Sequence, residues 1–339
     1  MPLAPIARRT FCSAMAGAST TALLARPALS QPSIGKMSMG SVMPTSHPAS
    51  TFVAEATEAI KNETNGAVQI NFFPNSMLGS EPNLFSQLRS GAIDFAVLSC
   101  SFLQAAVPVA GIPGVAFAYN DYATLWKSLD GDLGAFIKTA LEKVGLTPFK
   151  IVDNGFRHTT TSSRPINTVA DVAGLKIRVP PSPLLTSLYA TLGAGPTTIQ
   201  LGELYTALQT NVVDGMENSL VNLEALKVYE VQKYCSKTEH SWDGLWLLAR
   251  TKSWNELPSE IRSVIQRNFE DHATRQQQEF ARLDPKMESV LQSNGMIFNQ
   301  PERDQFREKL RSGGYYKEWK AKFGSEAWGK LEQYTGPLG

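Results

Sequence analysis

The sequence predicts an α/β protein of two lobes with a cleft between them. Three observations lead there. The chain has 339 residues, 42% hydrophobic, 9% aromatic and 19% charged, which is enough for about two domains at roughly 150 residues each and too apolar for a disordered chain. Past the first thirty residues, short alternating runs and helically spaced runs follow in the order strand, helix, strand, helix, strand. That order builds a parallel sheet with helices on its faces. A second unit follows, and then a long charged helical stretch from Leu257 to about Asn294. A helix of that length bridges lobes or lies along the surface. In such a molecule a ligand site belongs in the crevice between the lobes.

The elements can be justified in turn. Lys36-Met37-Ser38-Met39 begins an alternation that ends near Met43, before Pro44 and Pro48. Phe52, Val53, Ala56, Ala59 and Ile60 fall at helical spacing, and Gly66 ends that helix. Val68–Phe72 alternates as a strand and Pro74-Asn75-Ser76 closes it. Leu84, Phe85 and Leu88 mark a helix ending at Gly91, and Ile93–Leu98 is the next strand. Phe95–Asn120 carries no charge and is long enough to cross a bilayer. Pro108, Gly111, Pro113 and Gly114 interrupt it, so it reads as a buried strand and a buried Pro/Gly-rich segment.

In the second unit Leu146–Asp153 reads as one strand and Arg157–Ser162 as another. Leu175, Ile177 and Val179 alternate with Lys176 and Arg178, and Pro180, Pro181 and Pro183 end the strand. Leu184–Leu192 and Glu203–Thr210 are helical. Val212-Val213 reads as a brief strand with Asp214-Gly215 as its turn. Pro285 is expected to break the long helix.

The N-terminus has a separate logic. Residues 1–30 contain Arg8, Arg9 and Arg26 and no Asp, Glu or Lys. A mild apolar run, Ala14–Ala25, follows the arginine pair, and Ala28-Leu29-Ser30 offers small residues for cleavage. This is the layout of an export signal, of twin-arginine type from Arg8-Arg9-Thr10-Phe11. The rest of the chain then holds 32 − 3 = 29 basic against 31 acidic residues. A balance this even leaves no broad basic footprint for nucleic acid. The expected location is a bacterial periplasm.

Catalytic constellations are scarce. The four histidines, His47, His158, His240 and His272, form no H-x-x-x-H pair, so no zinc site is expected. No P-loop and no Gly-x-Ser-x-Gly elbow occurs, and no cofactor is implied. Cys100 and Cys235, far apart in sequence, read as buried thiols rather than a disulfide. The informative residues are polar groups beside strand ends. Arg178 and Arg157 each have two readings, a surface cation or a cation aimed into the cleft. Asn218, in Asp214-Gly215-Met216-Glu217-Asn218-Ser219, either offers an amide to a ligand or caps the next helix.

At these residues the sequence resembles the solute-binding subunits of tripartite ATP-independent periplasmic (TRAP) transporters, the DctP-like family, over about residues 34–320. The resemblance runs through Phe73-Pro74-Asn75-Ser76, Leu78-Gly79, Leu88-Arg89-Ser90-Gly91-Ala92-Ile93-Asp94, Asn154-Gly155-Phe156-Arg157 and Gly174-Leu175-Lys176-Ile177-Arg178-Val179-Pro180. It continues through Glu203–Thr210 and Val213–Asn218 to His240. It implies a Venus-flytrap receptor, with lobe I formed by 31–154 plus about 243–282 and lobe II by 155–242 plus about 283–339. It further implies a non-enzymatic protein that binds a small organic acid and delivers it to the small and large membrane subunits of a permease.

By the same resemblance Arg178 pairs with the ligand carboxylate, Asn218 donates its amide to it, and Arg157 is a second ligand cation. Ser99 follows a strand at a contact position, where its neutrality argues against a cationic ligand. Trp242 would form an aromatic wall, or else be a core residue. Glu203 and Tyr205 read as structural. Pro181 stands where sialic-acid-binding members carry a polar residue, which counts against that ligand. The second arginine and the tryptophan favour a hydroxylated acid such as a uronate or aldonate. The competing readings are an exported α/β enzyme acting on organic acids and a receptor that presents its ligand to a sensor.

Overall fold

A computed structural model describes residues 35–339, so the expected signal segment lies outside the described residues. The strands are β1 (Gly35–Ser41), β2 (Val68–Phe73), β3 (Phe95–Ser99), β4 (Leu146–Thr161), β5 (Lys176–Val179), β6 (Gly195–Thr198), β7 (Gly215–Asn218), β8 (Tyr234–Arg250) and β9 (Ile297–Asn299). Their order is β2-β1-β3-β8-β4-β7-β5-β6, with β9 against β8. The expected parallel groups are present. β1 lies parallel to β2 and β3, and β5 lies parallel to β6 and β7. The whole sheet is nevertheless mixed, because β8 runs antiparallel to β3 and β4, and β4 antiparallel to β7.

β4 and β8 are long strands of 16 and 17 residues that join the two parallel groups. The sequence suggested two strands broken at Asn154-Gly155. A bulge there instead absorbs the irregular residues: pairing shifts between Asp153 and Gly155 and resumes at Gly155 opposite Asp243, as bulges allow. Gly155 has φ +94°, and a Cβ at this position would lie 2.7 Å from Ser219 Cβ and 2.9 Å from the Phe280 ring. Only glycine fits both the backbone and the space. β8 escaped the sequence reading because it is buried almost throughout and so lacks the alternation that marks a half-exposed strand. Val212-Val213 is also not a strand: β7 begins at Gly215, where a turn was expected.

Helix Pro48–Glu63 begins at His47, whose Nδ1 accepts the Ala49 N–H at 3.1 Å. The long helix runs from Ser259 to Ser293 without a break, through Pro285. A proline inside a helix removes one N–H and crowds the preceding turn, but Phe280 and Leu291 are buried on either side of it and hold the helix down. Upstream, Gln276 clamps Asp153: its Oε1 accepts the Asp153 N–H and its Nε2 donates to the Asp153 carbonyl, both at 2.8 Å. The helix is thereby fixed to β4 at the bulge.

The charge-free segment Phe95–Asn120 is largely buried, and no described helix is long and apolar enough to cross a membrane. Tyr315 and Tyr316, on a C-terminal helix, bond to the backbone of Ala116 within it. Cys100 and Cys235 are buried free thiols.

Candidate ligand cavity

The C-terminal ends of the parallel strands in both groups converge on one cavity of about 310 Å³. This is where ligands sit in open α/β sheets, and the volume lies at the small end of ligand cavities, which run to about 1,000 Å³. Its wall includes Glu81, Ser99, Ser101, Asn154, Arg157, Arg178, Asn218 and Asp243.

Arg178 is positioned by β5. Ile177 and Val179 flank it at 0% exposed, while Arg178 itself is 1% exposed. Its Nε donates to the Ile199 carbonyl at 2.9 Å. Among the described residues no other hydrogen bond and no ion pair reaches its guanidinium. Burial pulls its guanidinium down to about 10, against the opposing fields of Glu217 and Glu81. A buried cation in that position is costly until an anion joins it.

Arg157, on β4, is 3% exposed and differently placed. Its Nε donates to Glu217 Oε2. Its Nη2 donates to Glu217 Oε1 at 2.8 Å and to the Glu217 carbonyl at 3.1 Å. Its Nη1 reaches Asp243 Oδ2 at 3.5 Å. Burial alone would push the Glu217 carboxyl up, but Arg157 and His240 outweigh it and hold it at about 2. His240 Nε2 lies 3.3 Å from the same carboxylate.

Asn218 ends β7. Its Oδ1 accepts the Ser219 N–H at 3.0 Å, and its Nδ2 makes no hydrogen bond among the described residues. It therefore does not cap the helix Leu220–Ala225, whose N-cap is Ser219; its amide lines the cavity. Ser99 ends β3, where its Oγ accepts the Phe102 N–H at 3.1 Å and lies 3.0 Å from Ser101 Oγ.

Four of the five residues singled out in the sequence thus meet at one cavity: Arg178, Asn218, Arg157 and Ser99. Trp242 does not. It is 1% exposed, stands edge-on to Trp126 with centroids 5.5 Å apart, and donates its Nε1 to Asp153 Oδ1 at 2.8 Å. It is a core residue beneath the cavity, because in β8 the neighbouring Asp243 takes the cavity-facing position. Glu203 makes no side-chain cap and lines the rim instead. Tyr205 donates to Glu230 at 2.7 Å.

Sequence reasoning missed two carboxylates. Asp243 accepts from Ser101 N–H and hydroxyl and from Asn154 Nδ2, at 3.1–3.2 Å. Glu81 accepts the Ser99 N–H at 2.7 Å, and burial pushes it up to about 7. The wall is therefore not neutral near Ser99, contrary to expectation. Glu81 resembles any acidic residue in a first helical turn, and Asp243 lies in the unanticipated β8. Among the described residues no group of three or more His, Cys, Asp and Glu is arranged to hold a metal ion.

The fold and cavity define a two-lobed solute receptor of the periplasmic binding class. The chain belongs to the bacterial extracellular solute-binding protein family 7 (DctP), whose model matches residues 39–321. The uncharacterized protein y4mM of Sinorhizobium fredii is 34% identical over 262 residues, covering 76% of this chain, which spans only 48% of that longer protein. The C4-dicarboxylate-binding periplasmic protein DctP of Rhodobacter capsulatus is 31% identical over 76% of this chain and 78% of its own.

Two solved TRAP periplasmic solute-binding proteins superpose closely. One, from Sulfitobacter, with bound β-D-galacturonate, has TM-score 0.84 and 25% identity over 89% of this chain and 100% of its own. Another, from Sulfurospirillum deleyianum, with bound succinate, has TM-score 0.83 and 25% identity over 88% and 98%.

Proposed function

We propose that this protein is an exported receptor that captures a small organic acid through Arg178 and delivers it to a TRAP membrane permease. The observation that carries the reading is the Arg178 guanidinium, buried at a cavity wall with a single hydrogen bond to the protein. A guanidinium fork matches a carboxylate in two parallel charge-assisted hydrogen bonds. Asn218 Nδ2 supplies a further donor. Arg157 contributes mainly by orienting Glu217 and Asp243. Small acids bound by the solved relatives, galacturonate and succinate, are consistent with this reading.

Closure of the two lobes about the β4 and β8 crossing, near residues 154–155 and 242–243, would seal the ligand, and the closed form would dock on the permease. Ligand drives closure by its differential affinity for the closed state. Residues 1–30 act as the export signal, leaving a periplasmic receptor without catalytic activity. A thermal-shift screen of residues 31–339 against small carboxylates and their amides tests this. A binder at 100 times its Kd adds about 2.7 kcal/mol of apparent stability. Stabilisation by an acid and not by its amide is expected; equal stabilisation by both would refute the carboxylate pairing.

A further inference from the structure

The charges around the cavity do not cancel. Arg157 is neutralised by Glu217, and burial lowers the neighbouring His240, which favours its neutral form. That leaves Arg178, among the described residues of the wall, against two buried carboxylates, Asp243 and Glu81. Glu203 stands exposed at the rim, where solvent screens it. With Glu81 ionised the wall therefore carries more negative than positive charge before any acid arrives. An incoming carboxylate adds to that excess in a site from which closure removes water, where like charges repel most strongly.

The two carboxylates are not equivalent. Asp243 accepts from the Ser101 N–H, Ser101 Oγ, Asn154 Nδ2 and Arg157 Nη1. Glu81, 7% exposed, accepts only the Ser99 N–H, on Oε1 at 2.7 Å. Its Oε2 takes part in none of the hydrogen bonds among the described residues, and no ion pair among them holds it. The N-terminal end of helix Glu81–Ser90 favours the carboxylate while the site is empty. A proton entering the wall goes to the carboxylate with the fewest donors, because there it displaces the fewest hydrogen bonds.

We propose that Glu81 is a proton-binding site coupled to the ligand site, so that the receptor captures an organic acid together with one proton from solution. This rests on Arg178 holding the ligand carboxylate. The Glu81 carboxylate takes up the proton as the acid docks, and the complex then carries the same net charge as the empty wall. Burial pushes Glu81 up to about 7; the Ser99 bond and the Arg178 charge pull it down, and the Asp243 charge adds to the push. Pairing with a ligand cancels the Arg178 pull and places a further negative charge nearby, and both effects raise the carboxyl. Other groups around Glu81 do not compete for the proton. Cys100, next to Ser99, is a buried thiol pushed well above its usual range. Arg89 and Arg250 lie at the opposite end of the helix, by Gly91. The bound state holds more protons than the free one, so capture is at full strength below about pH 7 and weakens as pH rises.

Isothermal titration in phosphate, HEPES and Tris buffers, which differ in ionisation enthalpy, counts the protons. The probes are D-galacturonate, pantoate and succinate, all ionised at about pH 8. Wild type is expected to bind at least one of them with uptake of at least about half a proton at about pH 8, and with affinity falling at least about threefold from about pH 7 to 8.5. Glu81→Gln keeps an oxygen for the Ser99 N–H and cannot ionise, so it should show neither the uptake nor the fall. An infrared difference spectrum of wild type should gain a protonated-carboxyl band on binding. That readout stands even where Glu81→Gln binds too weakly to titrate.

The proposal is overturned by a binding enthalpy that is the same in all three buffers, by uptake that persists in Glu81→Gln, or by absence of the infrared band. It also falls if wild type binds none of the three acids. Arg178→Ala keeps the two readings apart, since it should bind at least about 30-fold more weakly. Binding that depends on Arg178 but takes up no proton sinks the proton site alone. Arg178→Ala binding as tightly as wild type sinks the carboxylate pairing, and the proton site with it.

Discussion

Arg157 and Arg178 stand on strands β4 and β5, line the same cavity and are almost equally buried, yet their surroundings differ. Around Arg157 the protein supplies a carboxylate, a carbonyl and a second carboxylate, so the cation is neutralised before any ligand arrives. Around Arg178 it supplies one carbonyl. Burial costs both cations their hydration, but only Arg157 is compensated within the fold. The contrast separates a residue that builds the wall from one that waits for a guest. Sequence position alone did not distinguish them.

The largest expected effect is on binding. Arg178→Ala should weaken capture of the acid ligand by at least about 30-fold, since removing a buried charged partner costs roughly 2–5 kcal/mol. It should leave the ligand-free protein as stable as before or more stable, because an uncompensated buried cation is gone. Titration calorimetry and melting curves read the two halves. A large loss of stability would erase the contrast with Arg157.

Arg157→Ala should act the other way round. It leaves Glu217 and Asp243 buried without their partner, and breaking such a pair costs about 3–5 kcal/mol. Urea unfolding would show this, and a variant as stable as wild type would mean that Arg157 is not structural.

A third test extends the comparison to another buried base. Burial lowers His47 to about 4, whereas an unfolded histidine titrates near 6.5. Between those values the unfolded chain binds a proton that the native chain refuses. Stability is therefore present above about pH 6.5 and lost as pH falls toward about 4. At about 1.4 kcal/mol per unit, His47 accounts for about 3 kcal/mol of that loss. His47→Asn keeps a capping oxygen and should flatten the acid limb by that amount in unfolding curves at stepped pH. An unchanged limb would mean that His47 does not couple to folding. Asp153, which burial pushes up to about 8, has the opposite sign: its contribution is lost as pH rises through that value.

The smallest effect is expected at Trp242. Trp242→Phe removes the bond to Asp153 and should cost about 1 kcal/mol of stability, with ligand affinity changed less than twofold. A tenfold loss of affinity would return this residue to the cavity wall.

How much of this was legible in the sequence depends on the range of the signal. The Lys176–Val179 strand advertises itself by alternation and a proline stop, so Arg178 was placed at a strand end beside a turn. Asn218 was placed by the turn before it, although that turn proved to be the start of β7. What stayed hidden was pairing across the sheet. Glu217 lies far along the chain from Arg157, and only the β4–β7 register brings them together. Trp242 and Asp243 could not be assigned to faces while β8 itself was unread. The helix through Pro285 was misjudged because the local cost of proline was weighed without the tertiary contacts at Gln276, Phe280 and Leu291.

The most direct test of the central claim is a crystal structure of the protein with the acid that raises its melting temperature most. The expected result is a ligand carboxylate on the two Nη atoms of Arg178, at about 2.7–2.9 Å, with Arg157 still engaged by Glu217. A carboxylate bound by Arg157 instead, with Arg178 untouched, would contradict it.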